Sequence, residues 1–170
     1  MKKLFPIEGN KILLRPFTIE DQAAKNQIDN DDDIKEHICP FLPSLNDSIE
    51  EFEKQGYGLV AIVDLTTGDL AGYAKLQHPK DLGKDLGLEL VLAIALEARN
   101  KGMAQEATQI LIKIACGQLN QKQIVVRVAP NNKASLGLVK KLGMKKIDEI
   151  KEISGDTQLI YAVTCGKLPG

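Results

Sequence analysis

Two short stretches carry residues whose types and spacing suit chemistry. The first is Arg99-Asn100-Lys101-Gly102-Met103-Ala104, where an apolar run ends and a helical pattern begins. The opening amides of a helix have no main-chain acceptor and carry partial positive charge, so a diphosphate can rest on them. Gly102 lets such a ligand approach the backbone with no Cβ in the way, and Arg99 and Lys101 add charge. A plain turn with one glycine and two solvated bases accounts for the same six residues. The stretch is neither a Walker loop, since no Gly-Lys-Ser/Thr follows, nor a GxGxxG fingerprint. The second stretch is Val128-Ala129-Pro130-Asn131-Asn132-Lys133-Ala134-Ser135, leading into a helix closed by Leu142-Gly143-Met144. Asn132 is a good helix cap and Gly143 a good helix stop, so local structure explains most of it.

Other reactive residues group poorly. Cys39, Cys116 and Cys165 are odd in number, far apart and without a CxxC pair, so they read as reduced thiols with no zinc site. His37 and His78 lack partners at metal or triad spacing. Asp29-Asn30-Asp31-Asp32-Asp33 imitates the start of a calcium loop. It lacks the sixth-place glycine, and Pro40 stands where the final glutamate belongs. No metal is expected. Tyr57, Tyr73 and Tyr161 suit sheet positions, with a place facing a substrate cleft as the alternative for Tyr73.

The elements that must position these residues follow from pattern. Lys11 to Phe17 is a short apolar strand stopped by Pro16, and Thr18-Ile19-Glu20-Asp21 starts a helix. Ser48-Ile49-Glu50-Glu51 has the form of a capping box, for a helix ending before Gly56. The stretch between, marked by Pro40 and Pro43, reads as irregular. Tyr57 to Asp64 and Leu70 to His78 form a hairpin about Thr66-Thr67-Gly68-Asp69. Asp85 to Ile94 is a further strand. Lys101 to Cys116 places Ala104, Ala107, Ile110, Leu111, Ile114 and Ala115 at helical spacing. A strand over Gln123 to Val128, a helix over Asn132 to Leu142, and strands over Met144 to Ile153 and Thr157 to Thr164 complete the order. This is an α/β chain around a mixed, largely antiparallel sheet.

Composition bounds the class. The 170 residues show no repeat or linker and read as one domain, residues 1–170, with an aliphatic core: 44% are hydrophobic and only 4% aromatic. A net charge of -1 speaks against nucleic acid or an anionic membrane held by bulk electrostatics. No apolar segment is long enough for a signal peptide or a span, so a cytoplasmic place is expected.

Taken together, Arg-x-x-Gly-x-Ala opening one helix and Asn-x-x-Ser opening a second that ends Leu-Gly-Met resemble the coenzyme A core of GNAT acetyltransferases. Leu13-Leu14-Arg15-Pro16 followed by Thr18, Glu20 and Asp21 is similar to the opening of the branch holding ribosomal-protein N-terminal acetyltransferases. Thr67-Gly68-Asp69-Leu70-Ala71-Gly72, Glu89-Leu90 and Gln105-Glu106-Ala107 fit that branch too, so the resemblance runs from about Lys11 to Thr164.

The resemblance implies a fold whose sheet splits between the fourth and fifth strands, 85–94 and 123–128. It implies that the amides of Asn100, Lys101, Gly102, Met103, Ala104 and Gln105 hold the pyrophosphate of acetyl-CoA, with Arg99 and Lys101 at its edge. Leu92, Ala93 and Ile94 would pair with the pantetheine arm, Asn132 would hydrogen-bond it, and Ser135 would lie near the sulfur. Glu89 would be the proton acceptor, directly or through water, because the attacking amine must be neutral. Many relatives carry a tyrosine seven residues after the asparagine to protonate the thiolate; here that residue is Val139. Ser135 or water then takes the role. The expected partner is an amine acceptor, a small molecule or a protein N-terminus, for a monomer or homodimer without nucleic acid, membrane or metal. Two rivals stand beside this: a non-catalytic coenzyme A-binding sensor or scaffold, and a domain holding another phosphorylated ligand at the same turn.

Overall fold

The computed structural model describes residues 3–166 other than 39, 41, 80, 83 and 84. The chain divides into two compact units, residues 1–76 with 91–110 and residues 77–90 with 111–170.

The first unit is built on strands β1 (Ile7–Glu8), β2 (Ile12–Pro16), β3 (Leu59–Asp64) and β4 (Leu70–Gln77). It also holds the later part of β5 (Leu88–Ile94), helices α1 (Gln22–Asp29), α2 (Asp32–His37) and α3 (Leu45–Gln55), and the start of α4 (Met103–Gly117). Strands β1 to β4 pair antiparallel in sequence order. Every residue of β3 is buried, as expected of a Leu-Val-Ala-Ile-Val run inside a sheet. At Gly72 a Cβ would stand 2.2 Å from the Ala93 carbonyl oxygen, so β4 and β5 approach more closely there than any side chain would permit.

The second unit holds the first residues of β5, the end of α4, β6 (Gln123–Val128), α5 (Lys133–Lys141), β7 (Lys145–Lys151) and β8 (Thr157–Thr164). Its strands run β5-β6-β8-β7, with β7 on the edge. β8 pairs antiparallel with both neighbours. β5 and β6 are parallel, in register at Leu88–Ile124 and Glu89–Val125. The sheet is thus mixed and mostly antiparallel, with helices beside it.

Several expectations are corrected. Cys116 and Cys165 form a disulfide, with Cα atoms 5.4 Å apart, so the reading of three reduced thiols fails for these two. Cys39 lies outside the described residues. The helix expected to begin at Ser48 begins one turn earlier: Ser44 caps it, accepting from the Asp47 N–H at 3.1 Å, and Ser48 is buried inside it. Starting there places Leu45 and Ser48 on the buried face. The stretch expected to be irregular contains α2, capped by Asp31. Tyr73 lies in β4, the sheet position expected of it, and is fully buried; its hydroxyl donates to Asp29 at 2.7 Å, and the Lys25 ammonium lies over its ring.

Candidate functional site

In the first unit, the end of β5 and the start of α4 are joined by a 3-10 helix over Leu96–Ala98 and then a turn in which Asn100 and Gly102 take left-handed backbone, φ 61° and 81°. These two reversals let the chain leave an extended strand and enter a helix within a few residues. The first helical bond is Glu106 N–H to Gly102 O at 3.1 Å. The amides of Met103, Ala104 and Gln105 precede it and so have no helical partner, while the helix dipole makes that end positive. The donors at this positive helix end are main-chain N–H groups, of the kind that can take an anion.

The Arg99 guanidinium braces the turn. Its Nε donates to Ile94 O at 3.0 Å, and its Nη2 meets Asp31 Oδ2 at 3.0 Å. Asp31 also caps α2, accepting from the Asp33 and Ile34 amides, and Asp33 and Asp32 stay exposed in that helix's first turn. The acidic run is therefore divided by role, with Asp29 holding Lys25 and Tyr73.

Strand β5 contributes a ladder edge. The Ala93 carbonyl faces Gly72 of β4, so backbone alternation turns the N–H and C=O groups of Leu92 and Ile94 to the opposite side. Ile94 O is used by Arg99. Leu92 and Ile94 are partly exposed and Ala93 is buried.

In the second unit, Glu89 is 3% exposed and fixed from two sides. Arg127 Nε donates to its Oε1 at 2.6 Å, and Gln77 Nε2 donates to its Oε2 at 3.3 Å. Arg127 also grips Asp81 through both terminal nitrogens. These bonds, first to Asp81 and then to Glu89, hold the guanidinium above its ordinary pKa; the bond from Arg127 holds the Asp81 carboxyl below its own. Arg127 stands two residues beyond Val125, the register partner of Glu89. Sequence reading missed this group, because its members lie 38 and 46 residues apart and share no local pattern.

Asn132 caps α5, its Oδ1 accepting from the Ser135 N–H at 3.1 Å. Ser135 is partly exposed, and Val139, one turn on along the same helix face, is 3% exposed in the core. Among the described residues, no three His, Cys, Asp or Glu gather as metal ligands, and no helix is long and apolar enough to cross a membrane.

The family model for the acetyltransferase (GNAT) domain matches residues 11–145. A GNAT-family acetyltransferase from Bacillus anthracis superposes with a TM-score of 0.77 at 20% identity, over 94% of this chain and 98% of the other. The ribosomal-protein-S5-alanine acetyltransferase of Vibrio fischeri gives 0.72 at 14%, over 98% and 100%. A Salmonella typhimurium protein solved with its cofactor acetyl-CoA gives 0.72 at 16%, over 95% and 98%. At these identities the superpositions establish the shared fold.

Proposed function

Because the chain belongs to the GNAT acetyltransferases and is therefore an N-acetyltransferase, we propose that it moves acetyl from acetyl-CoA to an amine by direct attack in a ternary complex, as one acetyltransferase domain. The observation that carries this is the turn at Asn100 to Gln105, with left-handed Asn100 and Gly102 and unpartnered helix-opening amides. In this reading those amides take the diphosphate, with charge from Arg99 and Lys101. The open edge of β5 at Leu92 to Ile94 lines up the pantetheine arm, and the Asn132 carboxamide donates to it. Held this way, the thioester meets an amine whose proton passes to Glu89, through water, and attack becomes effectively intramolecular. The acceptor is an amine of a small molecule or a protein N-terminus; the ribosomal-protein acetyltransferase among the similar structures supports the latter class. A screen for free thiol from acetyl-CoA against amines, N-terminal peptides and aminoglycosides tests the proposal, and silence with every acceptor class counts against it.

The turn itself has a direct test. Acetyl-CoA at about a hundred times its Kd raises the melting temperature by roughly 5–10 °C, since a ligand held only by the native state stabilises it. Gly102→Asp abolishes the rise by putting a side chain and a negative charge at the point of closest approach. A variant that keeps the full rise shows that the diphosphate lies elsewhere.

Val139 favours a second reading, a coenzyme A-binding sensor or scaffold without turnover, because a buried valine stands where relatives place an acid. In the catalytic reading Ser135 supplies the proton or hydrogen bond to the departing thiolate. Ser135→Ala then lowers kcat by up to about 10²-fold, with coenzyme affinity retained. Unchanged kcat assigns the proton to water, and absence of thiol release in the parent protein favours the sensor. We place the reaction in the cytoplasm, where acetyl-CoA is consumed.

A further inference from the structure

Lys11 lies 90 residues before the coenzyme turn and outside every motif that points to it. Its backbone is fixed on both sides. The Asn10 and Lys11 N–H groups donate to the two carboxylate oxygens of Glu106, at 2.6 and 2.9 Å, and Lys11 O accepts from Leu65 N–H at 2.9 Å. Glu106 thus clamps the β1–β2 turn onto the first turn of α4, and this clamp sets where the Lys11 side chain begins. That side chain is exposed, yet it does not run out into water: its Nζ donates to Lys101 O at 2.8 Å. The same nitrogen lies 2.8 Å from the point that a Cβ on Gly102 would occupy. One carbonyl uses one of the three ammonium donors. A third basic residue is thereby brought to a turn that already carries Arg99, which is paired with Asp31, and Lys101.

The geometry points to Lys11 as a binding residue for the diphosphate of the coenzyme, delivered from the N-terminal hairpin across Gly102 while the α4 amides hold the same group from the helix side. This rests on the proposed acetyl-CoA reading. It assigns the Glu106 carboxylate a positioning role, holding the hairpin at the height from which the ammonium reaches the turn. The contribution is one charge-assisted bond at an exposed position, worth about tenfold in affinity.

Calorimetric titration of Lys11→Gln and Lys11→Arg with coenzyme A, dephospho-coenzyme A and S-acetylpantetheine tests it. Lys11→Gln weakens the first two by about tenfold each, leaves S-acetylpantetheine unchanged and melts like the parent without ligand; Lys11→Arg restores most of the loss. Parental affinity in Lys11→Gln overturns the inference. So does an equal loss for S-acetylpantetheine, which marks a structural lysine, or a loss confined to coenzyme A, which moves the contact to the 3′-phosphate. Failure of the parent protein itself to bind coenzyme A overturns the underlying reading, and the inference falls with it.

Discussion

Glu89→Gln lowers turnover with acetyl-CoA by on the order of 10²-fold at neutral pH and leaves coenzyme affinity unaltered. The substitution keeps the shape of the side chain, and glutamine still accepts from Arg127 Nε at the position of Oε1. What it removes is the capacity to take a proton from the ammonium or from a water between them. Raising the pH should recover much of the loss, because the free amine then forms without help. The geometry also supplies the competing outcome. Glu89 is 3% exposed and paired with a guanidinium that is itself shared with Asp81, so it has the surroundings of a structural carboxylate. Removing one member of a buried ion pair costs about 3–5 kcal/mol where the other charge is left without compensation, and less here because Asp81 stays on the guanidinium. If that describes Glu89, its glutamine variant melts well below the parent and turnover follows the folded fraction. Kinetics and melting on the same preparation separate the two: slow and stable means a proton acceptor, unstable with normal specific activity means a strut. A neutral-pH rate equal to the parent's ends the catalytic assignment.

Reduction of the Cys116–Cys165 bridge lowers the melting temperature by about 10 °C. The two cysteines are 49 residues apart, and closing a loop of that length removes unfolded-state entropy equivalent to about 4 kcal/mol. For a chain of this size each kcal/mol corresponds to about 2–4 °C. Cys165→Ser should melt like the reduced protein and be indifferent to reductant. Alkylation under denaturing conditions gives the chemical check: with three cysteines in the chain, one is labelled before reduction and three after. Identical melting with and without reductant, or three labels before reduction, excludes the bridge.

What the sequence made legible follows from the range over which its signals act. Gln123–Val128, Leu70–Gln77 and Thr157–Thr164 stand out because a run of apolar residues bounded by turns has few other uses. Helices α4 and α5 are marked by spacing and by Asn132 and Gly143 at their ends. β1 has two residues and α2 six, too few for any period to appear. At α3, serines at 44 and 48 are each followed three residues later by an acid, so the cap is ambiguous locally; burial of Leu45 decides it in favour of Ser44. The turn at Asn100 to Gly102 was legible because a glycine and a helix start announce it. The partners of its neighbours were not. Arg127 beside Glu89, Asp31 on Arg99, Lys11 over Gly102 and Cys165 on Cys116 are tertiary pairings, invisible to any pattern read within one element.

The last pairing edge of the sheet has a consequence for how the molecule behaves in a crowd. β7 ends the strand order and is exposed along all but Ile150, and the outer side of an edge strand invites a strand from a second copy. It is also Lys145-Lys146-Ile147-Asp148-Glu149-Ile150-Lys151, five charges in seven residues, with Lys146 and Glu149 already paired to each other. An antiparallel copy centred on Asp148 would set Lys145 against Lys151, like charge against like, and would strip water from both. Self-association by strand addition is thereby discouraged along β7, where the charges of the margin itself oppose sheet-to-sheet growth.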